Sequence, residues 1–152
     1  MTSTRTCRSA TIAMIMLVAW SWCWSPDARA AEATLSKAQW QAVQQVIGRQ
    51  LVALKAGRAE AAFGYAAPGI RARFATPAAF LTMVATSYAE LLAARHTEFL
   101  EGAVIEGQVI QPLRLVAPDN KVSVALYIME RQPDGGWRIA GCAIAPSRVQ
   151  AV

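Results

Sequence analysis

Residues 121–145, KVSVALYIMERQPDGGWRIAGCAIA, decide the fold. Val122, Val124, Leu126 and Ile128 alternate with Ser123, Ala125, Tyr127 and Met129, the two-residue period of a strand. A second run from Trp137 to Ala145 is again rich in β-branched, aromatic and small apolar residues. Between the runs stand Pro133, Asp134, Gly135 and Gly136, where proline presets one torsion and glycine accepts the left-handed one. Two strands across so short a turn pair antiparallel. Both alternating sets of the first run are apolar at mid-strand. One face can cover helices; the other then needs a cover, a pocket or a second subunit.

Working back toward the N-terminus, TEFLEGAVIEG (97–107) and QVIQPLRLVAP (108–118) have the same texture. Gly107 and the Pro-Asp-Asn at 118–120 separate them from each other and from the next strand. The expectation is a meander of about four antiparallel strands.

Before His96 the period changes. In TLSKAQWQAVQQVIGRQLVALKAG (34–57), Trp40, Val43, Ile47, Leu51 and Leu54 recur at three and four. Ser36 and Gln39 have the spacing of a capping box, Leu35 and Trp40 that of a hydrophobic staple, and Gly57 can close the helix. Residues 58–95 read as two short helices and a longer one. Pro68 suits a first helical position, and Thr76–Pro77 is a cap followed by a first-turn proline. Phe80, Met83, Val84, Tyr88, Leu91 and Leu92 continue the last helix on one face. Helices followed by an antiparallel sheet make an α+β chain.

The N-terminus is of a different kind. Arg5 and Arg8 precede an uncharged run from Thr11 to Trp24, then Pro26 and Ala28-Arg29-Ala30. These are the parts of a secretory signal peptide, and the apolar run is short of the ~20 residues a membrane span needs. The expected organisation is a leader over residues 1–30 and a single α+β domain over 31–152. Cleavage near Ala30 would place the protein in the periplasm or outside the cell, with no stable membrane span. It would remove Arg5, Arg8, Arg29 and Asp27, lowering the net charge from +5 to +3. It would also remove Cys7 and Cys23, leaving Cys142 without a partner in its own chain. A mild, scattered positive charge on an exported chain does not suit nucleic acid.

AFGYAAPGIRARFATPAAFLTMV (62–84), taken with RQPDGGWRIAGCAI (131–144), resembles a bacterial family catalogued as domain of unknown function 4864. That family is similar to the nuclear-transport-factor-two-like cone fold. The resemblance implies helices lying in the concave side of a curved sheet, with a pocket between them. Phe63, Tyr65, Phe80, Tyr88, Tyr127 and Trp137 would line it. Relatives by fold include isomerases, dehydratases and polyketide cyclases that work with a buried Asp, Tyr or His.

The residues themselves offer little for such chemistry. After cleavage only Asp119 and Asp134 remain as aspartates, and both sit in turns, where the side chain bonds its own backbone. His96, the one histidine, falls where the last helix meets the first strand, a place that favours a cation. One histidine and one cysteine do not make a zinc site. Cys142 reads as a small buried hydrophobe. No catalytic residue, metal or cofactor is therefore assigned.

Arg71 and Arg73 are the remaining feature. On a helix they project about 200° apart, which suits the wet side of a short helix rather than a joint clamp. One of them, Arg73 with Tyr65 beside it, is the candidate for the cone mouth. The candidate ligand-binding residues are thus Tyr65, Arg73, Tyr88 and Tyr127. Two functions stand open: an exported module holding a small hydrophobic ligand, and a homodimeric interaction or scaffold module joined through the outer sheet face. An isomerase- or dehydratase-like enzyme comes third. If Phe and Met side chains fill the cone, no ligand is needed.

Overall fold

The computed structural model describes residues 34–150; the leader expected over residues 1–30 lies outside them. Helix α1 spans Lys37–Lys55. Ser36 Oγ accepts from the Gln39 backbone N–H at 3.3 Å, and the Ser36 N–H donates to Gln39 Oε1 at 2.8 Å, so the capping box is complete. At the other end Gly57 takes φ 67°, its N–H donates to the Leu54 carbonyl, and Arg58 N–H donates to that of Ala53. This is a Schellman closure, which needs the left-handed residue that glycine supplies. Val43, Ile47, Leu51 and Leu54 form the buried stripe, as the spacing predicts.

Two short helices follow, α2 (Ala59–Gly64) and α3 (Pro68–Arg71). Helix α4 (Pro77–Ser87) starts with the Thr76 hydroxyl accepting from the Ala79 N–H at 3.1 Å. The single longer helix expected here stops at Tyr88 (φ −128°, ψ 37°) and resumes as α5, Ala89–Ala93. The cause is tertiary. The Tyr88 hydroxyl donates to the Cys142 carbonyl at 2.9 Å, 54 residues away, and this bond fixes the residue off the helical path. Thr82 and Thr86 donate back to the carbonyls four residues earlier, a pattern that bends helices and weakens them slightly.

The sheet is antiparallel, as expected, and has five strands rather than about four. They are β1 (His96–Phe99), β2 (Ala103–Ile105), β3 (Gln108–Val116), β4 (Lys121–Arg131) and β5 (Trp137–Gln150). The order is β1-β3-β4-β5, with β2 also on β3. The stretch read as one first strand is split into β1 and β2, because three residues, 100–102, face two on β3. The Gln111 amide takes the Leu100 carbonyl at 2.7 Å, and the Trp40 ring occupies the space a Cβ on Gly102 would need. The β2–β3 turn has Glu106 and Gly107 both at positive φ, the mark of a tight two-residue hairpin.

On β4 it is Ser123, Ala125, Tyr127 and Met129 that are buried under the helices. Val124, Leu126 and Ile128 take the outer face. Near the start of β5 the ladder is interrupted: Met129 pairs with Ile139 and Ile128 with Gly141, so Ala140 is left over. Beside that bulge the chain after α2 lies along the edge of β5. Ile139 N–H donates to the Tyr65 carbonyl (2.9 Å), and Ala67 N–H to the Ile139 carbonyl (2.8 Å). Beyond Ile139 this support ends and a cavity begins.

Candidate functional site

The cavity measures about 320 Å³ and lies between the helices and the inner face of β4 and β5. Leu54 and Gln50 of α1 close one side. Ile70 and Phe74 stand around α3, and Phe80, Met83 and Val84 come from α4. Tyr127 and the bulged segment Ile139–Cys142 form the sheet side. Phe80 contacts Phe74 edge-on, with ring centroids 5.5 Å apart, and Phe63 tilted, at 5.4 Å. These pairs hold the aromatic wall in a preferred geometry.

Four side chains give this apolar wall its polarity. Gln50 is buried and donates from Nε2 to the Ala62 carbonyl at 3.2 Å, tying α1 to α2. Tyr88 donates to Cys142 as above. Tyr127 is 1% exposed, and among the described residues its hydroxyl has no hydrogen-bond partner. Arg73 is exposed and stands where the cavity meets the surface. Cys142, the cross-strand partner of Tyr127, adds a thiol to the lining.

The electrostatics favour protonated groups. Burial pushes the Cys142 thiol up to about 12. Burial raises the Tyr127 phenol well above its ordinary value, and the nearby Cys142 and Tyr88 add to the effect. Partial burial, then Cys142, raises Tyr88 in the same direction. At neutral pH all three are neutral hydrogen donors. A nucleophilic thiolate would need a cation to lower its pKa, and here the pKa moves the other way.

Of the four residues singled out from sequence, Arg73, Tyr88 and Tyr127 line this one cavity. Tyr65 does not join them; it lines a separate depression with Arg49, Val52 and Arg58 between α1 and α2. Arg73 lines the cavity and Arg71 does not, as the roughly 200° between helical positions two apart requires; the backbone stays helical across Ala72 (φ −66°, ψ −17°). Arg71 remains exposed on α3, outside the lining. Gln50 is not among the residues expected from sequence, yet a signal exists: Val43, Ile47, Gln50 and Leu54 follow a four-three-four spacing, so Gln50 belongs to the buried stripe. Glu90 and His96 are both exposed and do not line the cavity. Among the described residues no three His, Cys, Asp or Glu side chains group closely enough to hold a metal ion. Among them, too, no helix is long and apolar enough to cross a membrane.

A family model described as "Domain of unknown function (DUF4864)" matches residues 36–152, and the chain belongs to that family. No curated protein and no solved structure matches it.

Proposed function

We propose that this member of the family binds a small, mainly apolar molecule in the cavity between helices and sheet, and that it does so as an exported protein. The cavity carries the reading. A space of about 320 Å³ reaches the lower end of the range for ligand pockets. Its wall is apolar with few polar groups, the usual composition of a small-molecule site. The Tyr127 hydroxyl supports the same reading, since a buried donor without a partner costs about 1–3 kcal/mol that an acceptor on a ligand would recover. Export rests on the leader pattern of residues 1–30.

Native mass spectrometry of protein taken from the periplasm of its own cells tests both parts. The expected polypeptide mass begins near Ala31, with an additional small molecule that is lost on denaturation. A bare polypeptide mass, together with no binding of 1-octanol in solution, would overturn the ligand reading. A retained leader would overturn export.

The outer sheet face supports a second reading, association of two copies. Ile105 is 54% exposed and Leu126 36%, and both lie on the side away from the helices. Antiparallel sheets normally turn polar side chains to water on such a face. Light scattering should then show a dimer that Leu126→Lys dissociates; a monomer at high concentration removes this reading.

A further inference from the structure

The cavity has one formal charge in its wall, and it is positive. Arg73 lines it, whereas no Asp or Glu does. Among the described residues no carboxylate lies within salt-bridge distance of Arg73, and its guanidinium makes no hydrogen bond. The other polar side chains of the wall, Gln50, Tyr88, Tyr127 and the Cys142 thiol, are all neutral at physiological pH. A guanidinium presents planar donors that match a carboxylate better than any neutral head. Its place at the mouth keeps it solvated when empty, so it carries no burial penalty.

From this arrangement we infer that the ligand is a small monocarboxylate: an apolar body within the cavity and an anionic head at Arg73. The inference rests on the ligand-binding reading above and narrows it to a chemical class. Size agrees with a short chain or a single ring. At about 30 Å³ for each water in the liquid, the space corresponds to about ten waters. A cationic amphiphile would bring a like charge to Arg73, and a neutral one would leave its donors to water alone.

Three probes with one tail separate the terms: octanoate, 1-octanol and octylammonium, titrated calorimetrically into the protein at low salt. Octanoate should bind about tenfold tighter than octanol, and octylammonium more weakly than octanol. Added salt should reduce the octanoate advantage, because an exposed ion pair is screened. Arg73→Gln should bring octanoate to the level of octanol and leave octanol unchanged. Arg73 is exposed, so melting without probe serves as the control for folding. If octanol binds as well as octanoate, or if Arg73→Gln leaves octanoate binding intact, the carboxylate inference falls while the apolar pocket stands. If none of the three binds, the pocket reading falls as well.

Discussion

Gln111 and Tyr127 are direct partners across β3 and β4, on the face turned to the helices. Gln111 is fully buried and Tyr127 is 1% exposed. Their treatment differs. The Gln111 amide donates to the Leu100 carbonyl at 2.7 Å and to that of Pro112 at 2.9 Å, and its oxygen accepts from Gln44 Nε2 at 3.3 Å. The Tyr127 hydroxyl, one strand away, has no partner among the described residues. Both groups gave up water on folding, and only one recovered its bonds inside the protein. A buried polar group that is fully bonded is explained by the fold it holds, here the break between β1 and β2. One that is left over has to be explained by something the fold alone does not supply.

Gln111→Leu should have the largest effect on stability. It keeps an apolar side chain of similar size but strips partners from the Leu100 carbonyl and the Gln44 amide, each worth about 1–3 kcal/mol if stranded. A loss of about 3 kcal/mol is expected in urea denaturation, with the slope unchanged. A loss under 1 kcal/mol would mean that Gln111 does not hold the β1–β2 corner, and the contrast with Tyr127 would disappear.

Next in size is the response to alkali, which sharpens the cavity side of the contrast. Burial raises the Cys142 thiol from 9.0 to about 12, so the folded state prefers the protonated form. A pKa raised on folding gives stability that is fully present below the unfolded value and lost as pH rises through the folded one. Stability should therefore be level up to about pH 9 and decline between 9 and 12, with about 1 kcal/mol gone near pH 10. Cys142→Ala should flatten that decline, measured as urea midpoints along a pH series. The residual loss above pH 10 belongs to Tyr127 and Tyr88, whose phenols move in the same direction. An unchanged decline in Cys142→Ala would show that the thiol is not held in an apolar wall.

What could be read from sequence was what neighbours along the chain determine. The capping box of Ser36 and Gln39, the closure at Gly57 and the Thr76–Pro77 start each depend on a few adjacent residues, and each forms where the spacing puts it. The strand runs were legible for the same reason. The interruptions were not. The break at Tyr88 depends on Cys142, and the split between β1 and β2 on Trp40 and Gln111, all remote in sequence. The inner face of β4 could not be chosen because both of its faces are apolar. At the site, the family resemblance points to Tyr88 and Tyr127, and the sequence setting points to Arg73. Proximity in sequence groups Tyr65 with Arg73, but its backbone is tied to the edge of β5 and its side chain lines a separate depression.

The smallest stability change expected is the most informative about that site. Tyr127→Phe removes one oxygen from a residue buried to 1% exposure. Were the hydroxyl bonded within the protein, its loss would cost about 1 kcal/mol or more, as for other buried hydrogen bonds. With no bond to lose, removing a desolvated donor should leave stability within about 0.5 kcal/mol of the parent, or raise it slightly. The removal of polar atoms on the structural side, Gln111→Leu, has no such latitude. Urea midpoints of the two variants, measured together, give the comparison directly. A Tyr127→Phe loss as large as that of Gln111→Leu would mean that the hydroxyl is held by the fold after all. The cavity would then keep its volume and its arginine, but lose the buried donor that distinguishes a prepared site from an imperfectly filled core.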